Sequence, residues 1–381
     1  MGWSARMLAL GAVAGTGLAV VSGAAGWGTA HRVLAVVAVP PLVALAVRSR
    51  RALVPLALFG VAALVIGRPE HLTFAALAFA ATVWVSVSAF APVGTQGAWR
   101  DYVTLTKPRI MSLLLLTGAA GAFVGAAGVP APGVFAATMV GLALACGGAS
   151  ALNHYLDRDI DRLMGARTQS RPVAAGRIAP QLALEFGLAL SALSFVLLAS
   201  LVNVPTAFLA LAGNLFYVLV YTRLLKRSTP QNIVIGGAAG AVPPLVGYAS
   251  ATGHLGWAAL AMFAIVFVWT PPHFWALALM LKEHYARAGV PMLPVTAGER
   301  ATTQQIVWYT VVLLLVTLVP AALGVFGPFY AACALVLGLV FAWYAFDLRR
   351  TLERRAAVRL FHYSLLYLAL LFVAMALDSV I

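Results

Sequence analysis

Long apolar runs recur along the whole sequence, and they restrict the fold more than any other feature. Each run has about 16 to 25 residues, which is enough to cross a hydrocarbon core of about 30 Å as a helix. Lipid offers the backbone no hydrogen-bond partners, so only helices and closed barrels span it. The thirteen runs lie at approximately residues 6–25, 32–47, 52–67, 72–92, 109–128, 134–156, 181–201, 205–222, 231–250, 255–280, 304–325, 329–347 and 360–378. The sequence predicts an all-α fold, a polytopic transmembrane helical bundle.

Composition agrees with this prediction and excludes several other classes of protein. Of the 381 residues, 62% are hydrophobic and 9% are charged, which is outside the range of a soluble globular domain. The net charge of +14 is distributed among short loops, so we expect the lipid bilayer as the surroundings and no nucleic acid as a partner. The two cysteines each lie inside an apolar run, which predicts no disulfide framework.

The distribution of positive charge predicts the orientation in the membrane. If the N-terminus is cytoplasmic and the chain alternates sides, every one of the 25 Lys and Arg residues except Arg32 and Arg68 lies on the cytoplasmic side. We therefore expect a multi-pass protein of the cell (plasma) membrane. Its N-terminus and its active-site loops face the cytoplasm, and its C-terminus lies outside.

A polar stretch divides the apolar runs into two groups. Residues 93–107 separate four N-terminal helices from nine C-terminal ones, which predicts a membrane domain at 1–95 and a nine-helix domain at 96–381. The longest polar connections of the second group, 157–180 and 282–303, are both cytoplasmic by the charge rule. Chemistry on a charged substrate is therefore expected at the cytoplasmic face.

Three of the eleven acidic residues, Asp157, Asp159 and Asp161, fall within five positions. Asn153, Asp157 and Asp161 are spaced four apart, so on a helix they turn only about 40° per step and share one stripe. One amide and two carboxylates suit Mg²⁺, which takes one or two carboxylates and keeps its other positions for water and phosphate oxygens. Asp159 falls on a different face.

Basic residues follow this stripe closely, and they suggest an anion bound through the metal. The four arginines are Arg162, Arg167, Arg171 and Arg177. A diphosphate fits, because Mg²⁺ bridges its oxygens to the carboxylates while guanidinium groups neutralise the remaining charge. The alternative is a solvated helix end on which ion pairs four residues apart cap a membrane span.

Two further segments carry polar groups beside apolar runs. The prolines of the run 269–275 predict a broken or kinked helix. Glu283 is the acid nearest to this run, and its carboxylate suggests a second Mg²⁺ on the same diphosphate. His273 lies at membrane depth, where an ionisable residue is a functional candidate; alternatively, it is hydrogen-bonded to a neighbouring helix. Lys226 and Arg227 either reach the diphosphate or belong to an ordinary positive-inside loop.

With these motifs the chain resembles the protohaem IX farnesyltransferase family, also called haem O synthases, of the intramembrane aromatic prenyltransferase superfamily. The resemblance runs from about residue 101 to the C-terminus. It is carried by the segments 105–109, 153–161 with Thr168 and Arg171-Pro172, 231–237, 270–275 and 289–294. The family fold implies a nine-helix prenyltransferase core with an Mg²⁺ and prenyl diphosphate site under cytoplasmic loops.

The resemblance implies an enzyme that transfers a farnesyl group from farnesyl diphosphate to a vinyl group of haem b, giving haem O, with Mg²⁺ as cofactor. The implied catalytic residues are Asn153, Asp157, Asp161, Arg171, Lys226, His273 and Glu283, of which Asn153, Asp157, Asp161 and Glu283 bind metal. The implied binding residues are Lys107, Arg109, Arg162, Arg227 and Tyr285. Family members usually carry an Asp immediately before this Tyr. His284 stands there in this chain, so either Glu283 or His284 completes the second metal site.

Two alternatives and one additional expectation remain. The first alternative is a prenyltransferase whose acceptor is a quinone or a chlorophyll-type molecule instead of haem b. The second is a protein of another class, a polytopic transporter. The segment 1–95, with His31 and His71, faintly resembles half of a haem A synthase bundle. This segment therefore either binds haem or forms a degenerate or purely structural bundle. A hand-over of haem O to haem A synthase is a further expectation.

Overall fold

Every regular element is a helix in the part of the chain that the structure describes. The structure is a computed structural model that describes residues 97–381 and, before them, residues 11–17, 19, 37–43, 55, 57–59, 62, 78, 81 and 82. Most of the predicted domain at 1–95, with its four helices, His31 and His71, lies outside the described residues. The boundary between 95 and 96 therefore stays a prediction.

The helices of the continuous region are numbered α1 to α16 in chain order. They are α1 Trp99–Thr106, α2 Pro108–Ala126, α3 Pro132–Leu156, α4 Arg158–Leu163, α5 Ala166–Gln169, α6 Pro180–Leu201, α7 Val204–Leu215, α8 Lys226–Ser228, α9 Asn232–Gly240, α10 Val242–Thr252, α11 Trp257–Met280, α12 Lys282–Arg287, α13 Leu293–Thr296, α14 Gly298–Ala322, α15 Pro328–Thr351 and α16 Arg354–Asp378. A π-helix, Phe216–Leu225, joins α7 to α8.

Nine helices between residues 97 and 381 are long and apolar enough to cross a membrane. They are Pro108–Ala126, Pro132–Leu156, Pro180–Leu201, Val204–Ser228, Asn232–Thr252, Trp257–Met280, Gly298–Ala322, Pro328–Thr351 and Arg354–Asp378. Each contains most of one of the last nine predicted runs. The all-α, polytopic prediction is confirmed for this part of the chain, which is multi-pass.

Proline and glycine explain several of the helix ends. Proline is the first residue of α2, α3, α6 and α15, where its missing N–H has no partner in the helix and its fixed φ suits helical backbone. Gly253, with φ 74°, ends α10 in the left-handed conformation that glycine adopts without strain.

The two proline pairs behave differently. Pro243 and Pro244 follow a break at Ala241, where α9 ends and α10 begins, so that the span Asn232–Thr252 consists of two helices. Pro271 and Pro272 lie inside α11, which continues through both of them. The sequence predicts a broken or kinked helix here: the break is wrong, and the kink stays a prediction.

The chain forms two compact units, and the first contains the described residues up to Pro108 with Val140–Arg158 and Arg171–Leu211. Its core includes a small cluster made of Leu105, Ala151, Val173, Ile178 and Ala183. The Ser150 hydroxyl donates to the carbonyl oxygen of Leu105 at 2.6 Å, which fixes α1 against α3. This contact places the end of α1, and Lys107 after it, beside the C-terminal half of α3.

The second unit contains Arg109–Met139, Asp159–Ser170 and Ala212–Ile381. Its core is formed by large side chains of α11, α14, α15 and α16, including Trp269, Phe341, Tyr367 and Phe372. Helices α2 and α10 touch backbone to backbone, because a Cβ at Gly247 would overlap the carbonyl oxygen of Gly118. Small residues permit such close approach between membrane helices.

Candidate active site

In the first unit, the polar residues at the end of α3 are buried and joined to each other. Asn153 is 3% exposed and Asp157 is 0% exposed. The Asn153 Nδ2 donates to Asp157 Oδ2 at 2.7 Å, and the Asp157 N–H donates to the Asn153 carbonyl at 2.8 Å. A buried carboxylate costs several kcal/mol unless positive charge and hydrogen bonds offset the loss of water. This position therefore favours a bound cation.

Lys107 extends this pair into a chain of three side chains. Its Nζ donates to Asn153 Oδ1 at 2.8 Å, so the Asn153 amide accepts from the lysine and donates to Asp157. Lys107 has φ 50° and ψ 61°, a left-handed conformation that costs about 1–2 kcal/mol for a residue with a Cβ. Strained residues of this kind cluster at functional sites. The three contacts bring together three of the predicted site residues.

The arginines that follow the stripe do not share one environment. Arg171 is half-buried and Arg162 is exposed. Arg177 donates from Nε to Asp101 Oδ1 at 2.8 Å, and this hydrogen bond lowers the pKa of the Asp101 carboxyl. Arg177 therefore has a structural partner in the first unit.

In the second unit, Asp159 is held by a two-pronged ion pair. Both Arg227 guanidinium nitrogens, Nη1 and Nη2, donate to the two Asp159 oxygens at 2.7 Å. The hydrogen bond from Arg227 is the largest cause that lowers the pKa of Asp159 to about 2. The side chains are 60% and 34% exposed, and such pairs contribute only about 0.2–1 kcal/mol. The structure thus pairs Arg227, a predicted diphosphate-binding residue, with Asp159.

Asp161 and Lys226 are buried charged residues of the second unit, 1% and 8% exposed. The Thr168 hydroxyl donates to the Asp161 carbonyl at 2.8 Å, which connects α4 to the loop after it. Lys226 follows the π-helix Phe216–Leu225, and π-helical segments occur frequently at functional sites. A charged residue is buried in each of these two short segments.

The single helix assumed for the metal stripe is interrupted in the structure. Helix α3 ends at Leu156, Asp157 lies in a turn, and α4 begins at Arg158. The four-residue hydrogen bond from the Asp157 N–H to Asn153 keeps the helical spacing of the first pair. Asp161 belongs to the next helix and to the second unit. Asp157 and Asp161 are buried and Asp159 is exposed, as their predicted faces require.

Helix α12 places Glu283, His284 and Tyr285 in different surroundings. Glu283 is exposed, and its carboxylate makes no hydrogen bond to any described residue. The His284 ring lies against the backbone of Gly165, where an added Cβ would come within 2.9 Å of its Cδ2. Tyr285 is 8% exposed and packs in a cluster with Ile160 and Met292. His284 therefore contacts the segment that follows Asp161.

His273 is 7% exposed and has the polar partner that one of its two interpretations requires. Its Nδ1 lies 2.6 Å from Ser364 Oγ on α16. The ring is also stacked between Trp269 and Phe361, at centroid distances of 4.4 and 4.7 Å. The predicted hydrogen bond to a neighbouring helix is confirmed. It leaves the second ring nitrogen available for another role.

Sequence reasoning missed three buried polar residues. Ser364 is 91 positions from His273, and no pattern in the sequence connects the two residues. His154 and Glu185 are 2% and 1% exposed in the first unit. Glu185 is the only acid between Asp161 and Glu283, and an acid inside an apolar run is itself a signal of function or of a buried partner.

The oxygen ligands fit a magnesium ion that is bound partly by a substrate. Among residues 97–381 and the described residues before them, no three His, Cys, Asp and Glu side chains form a group that would hold a metal ion. Mg²⁺ does not need such a cage, because it is usually bound by one or two carboxylates together with phosphate oxygens and water. Asn153 and Asp157 supply two oxygen-bearing groups, and Lys107 supplies a cation beside them.

Comparison with known families decides what kind of protein carries this site. The sequence profile of the UbiA prenyltransferase family matches residues 114–373. The chain belongs to the UbiA prenyltransferase family. It is therefore an enzyme, a prenyltransferase, and the predicted resemblance is confirmed. The match includes α3 to α15, and with them Asn153, Asp157 and Asp161.

Two curated relatives are similar over long stretches. A protein of Symbiobacterium thermophilum named "Protoheme IX farnesyltransferase" is 55% identical over 281 residues, which cover 73% of this chain and 94% of that protein. A Chloroflexus aurantiacus protein of the same name is 46% identical over 370 residues, which cover 92% of this chain and 63% of that protein. The second alignment extends into the N-terminal region.

A solved UbiA structure shares the fold. The structure of a UbiA homologue from Archaeoglobus fulgidus bound to GPP and Mg²⁺ has a TM-score of 0.55 and 16% sequence identity, and the match covers 72% of this chain and 99% of that protein. The identity is low, so the comparison supports the prenyltransferase fold of this UbiA member.

Proposed function

We propose that this prenyltransferase transfers the farnesyl group of farnesyl diphosphate to a vinyl group of haem b, giving haem O. The observation that carries the proposal is the hydrogen-bonded chain of half-buried Lys107 with buried Asn153 and Asp157 at the end of a membrane-spanning helix. A buried carboxylate beside a cation and an amide suits an Mg²⁺ ion that binds the diphosphate of a prenyl donor. The choice of haem rests on the names of relatives that are 46% to 55% identical.

At the diphosphate end, Asn153, Asp157 and Asp161 are the proposed ligands of Mg²⁺. A bound Mg²⁺ supplies positive charge that stabilises the departing diphosphate. Asn153 orients Asp157 through the 2.7 Å hydrogen bond, and Lys107 holds Asn153 in turn. The proposal that Asp161 shares the ion rests on its spacing of four residues from Asp157 and on its burial. We give Glu283 or His284 a secondary role at the same diphosphate.

The basic residues neutralise the negative charge of the diphosphate that Mg²⁺ does not neutralise. Arg171 and Lys226, half-buried and buried, are the proposed electrostatic partners of the leaving group. Arg109, Arg162, Arg227 and Tyr285 complete the proposed set, of which Arg227 is already bound to Asp159. Preorganised donors stabilise developing charge more strongly in a dry site than in water.

The chemical step follows from these contacts. The farnesyl carbon–oxygen bond breaks and its electron pair leaves with the diphosphate, so the farnesyl group becomes an allylic cation. The vinyl π electrons of haem b form the new carbon–carbon bond, and a water molecule then adds to the resulting porphyrin-side cation and loses a proton. The allylic cation must be kept from water until the bond forms, and apolar membrane helices provide such surroundings.

The orientation and the boundary of the catalytic domain are further parts of the proposal. The distribution of Lys and Arg supports a cell membrane protein with its N-terminus and active-site loops in the cytoplasm and its C-terminus outside. The Symbiobacterium relative aligns over 94% of its own length but only 73% of this chain, which supports residues 96–381 as the catalytic domain.

An acceptor assay tests the proposed function. Purified full-length protein in detergent is incubated with farnesyl diphosphate, Mg²⁺ and either haem b, 4-hydroxybenzoate or a chlorophyll-type porphyrin. Mass spectrometry should find haem b increased by one farnesyl group and one water, and no product in the other two reactions. If a prenylated benzoate or porphyrin forms and no haem O does, the acceptor is that compound and not haem b. The same assay with EDTA in place of Mg²⁺ should show no transfer.

A further inference from the structure

The ring of His273 is enclosed on three sides inside the second unit. Trp269 stacks on one face with an interplanar angle of 15°, and Phe361 stacks on the other with an angle of 21°. Ser364 covers the Nδ1 edge at 2.6 Å. The edge that carries Nε2 is the side that these three residues leave uncovered, and His273 as a whole is 7% exposed.

The position of the Ser364 proton determines which ring nitrogen of His273 carries a hydrogen. The Ser364 hydroxyl has one hydrogen, and it donates that hydrogen to the carbonyl oxygen of Phe361 at 2.6 Å. Toward His273 the hydroxyl oxygen can then only accept, so Nδ1 must be the protonated nitrogen. A charged ring is costly at membrane depth, and the neutral ring with Nδ1–H leaves a lone pair on Nε2.

Ser364 is itself fixed by the stacked tryptophan. The Trp269 Nε1–H donates to the Ser364 carbonyl oxygen at 2.8 Å, so Trp269 holds both the face of the imidazole and the residue that sets its tautomer. Among the described residues, Nε2 of His273 has no hydrogen-bond partner. Such an arrangement, with one nitrogen donating to a fixed partner and the other bearing a free lone pair, is typical of a histidine that ligates a metal.

We propose that Nε2 of His273 is an axial ligand of the haem iron when haem b is bound as substrate, and that Ser364 is the positioning residue that holds the ligand in this tautomer. The inference rests on the proposed function, because haem is the acceptor there. Coordination donates the Nε2 lone pair to the iron and breaks no bond. It fixes the porphyrin relative to α11 while the vinyl group reacts.

The test measures binding separately from transfer. Full-length wild-type protein and variants in detergent are titrated with ferric haem and, in parallel, with metal-free protoporphyrin IX. The wild type should give the shifted Soret band of an imidazole-ligated haem. His273→Ala should lose this band, and added imidazole should restore it. Ser364→Ala should weaken haem binding about 10- to 100-fold, as loss of a partner of a metal-bound histidine commonly does.

Two further variants separate ligand positioning from packing. Ser364→Thr keeps the hydroxyl and should restore the wild-type spectrum. Ser379→Ala removes a serine hydroxyl that bonds three residues back to Ala376 at 2.7 Å at the end of α16, and it should leave the spectrum unchanged. Protoporphyrin IX, which has no iron, should bind equally to the wild type, His273→Ala and Ser364→Ala.

Each contrary result has a separate meaning. An unchanged Soret band in His273→Ala, or an equal loss of haem and protoporphyrin binding, would overturn the assignment of the ligand. Equal weakening by Ser364→Ala and Ser364→Thr would overturn the role of the hydroxyl. A wild type that farnesylates haem without an imidazole-type spectrum removes this inference and keeps the proposed function. A wild type that prenylates only another acceptor removes the proposed function.

Discussion

Asp157 and Asp159 are two positions apart, yet their surroundings assign them different tasks. Asp157 is fully buried and receives a hydrogen bond from Asn153, whereas Asp159 is exposed and bound to Arg227. A buried carboxylate can stabilise a metal ion strongly, and an exposed ion pair mainly orders a loop. At the residue scale, burial agrees with the separation of Asp159 from the stripe that helical spacing predicts.

This difference predicts a graded effect of three alanine substitutions. Asp157→Ala and Asp161→Ala should each lower kcat/KM for farnesyl transfer by about 100-fold or more, because each removes a proposed ligand of the Mg²⁺ that stabilises the leaving diphosphate. Asp159→Ala should lower it by less than about 10-fold, since it removes an exposed pair. Steady-state assays with haem b measure all three variants, and Asp101→Ala is the control for loss of an arginine-paired acid outside the stripe. Equal losses at positions 157, 159 and 161 would refute the assignment.

The Asp159 and Arg227 pair also predicts a pH response. The pKa of Asp159 is lowered to about 2, below its usual value of about 3.9, so its stabilisation is fully present above about pH 4 and is lost as the pH falls through 2. Transfer between pH 5 and 9 should therefore not change through this pair. The pH profiles of the wild type and Asp159→Asn should have the same shape over that range.

Arg227 tests whether the pair has a second task. If Arg227 also binds diphosphate, Arg227→Ala should raise the KM for farnesyl diphosphate more than Asp159→Ala does. If the arginine serves only Asp159, the two variants should be equal, and the double variant Asp159→Arg with Arg227→Asp should recover activity. Raised KM with no recovery in the exchanged pair would place Arg227 at the substrate.

Whole elements were the easier part to predict. The length of each apolar run decides whether it can cross a membrane, so the last nine runs correspond to the nine spans found between residues 97 and 381. The proline pairs were harder, because the same dipeptide follows a break at Ala241 and is tolerated inside α11. Packing around each proline pair decides between a break and a continuous helix. The sequence alone does not show which residues pack there.

The candidate site was predictable only where its residues are close in sequence. The contact between Asn153 and Asp157 follows from helical spacing, and it is present. The contact of Lys107 with Asn153 spans 46 positions, and that of His273 with Ser364 spans 91. Neither contact follows from periodicity, since each depends on which helices pack together. The interruption between α3 and α4 was likewise not foreseen, because no proline or glycine marks it.

The contact between α2 and α10 predicts that a side chain at position 247 lowers the unfolding free energy. Gly247→Val would drive its Cβ into the Gly118 carbonyl, so the helices must separate. We expect a loss of at least about 1–3 kcal/mol in unfolding free energy, the usual cost of overpacking. The midpoint of thermal unfolding in detergent measures it. Gly240→Val is the control, because a Cβ there meets no atom within 4 Å, and an equal drop in both variants would contradict the role of the close approach.

At the scale of the whole molecule, the family match at residues 114–373 includes Asn153, Asp157 and Asp161 and most or all of each of the nine spans found between residues 97 and 381. The Symbiobacterium protein matches 73% of this chain with 94% of its own length. The rest of this chain lies outside that alignment. The Chloroflexus relative, in contrast, aligns with 92% of this chain. We therefore propose that the N-terminal region at 1–95 is separate from the prenyltransferase core.

This separation predicts that the N-terminal histidines are not needed for transfer. His31→Ala combined with His71→Ala, both at positions outside the described residues, should change kcat/KM for farnesyl transfer to haem b by less than about twofold, because every proposed ligand of the diphosphate lies after residue 106. The haem content of the purified protein is measured at the same time. Unchanged transfer with less bound haem would assign the histidines a separate haem site, and unchanged haem would leave the N-terminal helices a structural role. A loss of transfer comparable to that of Asp157→Ala in the same preparation would contradict the separation, and would place the N-terminal region in the catalytic cycle.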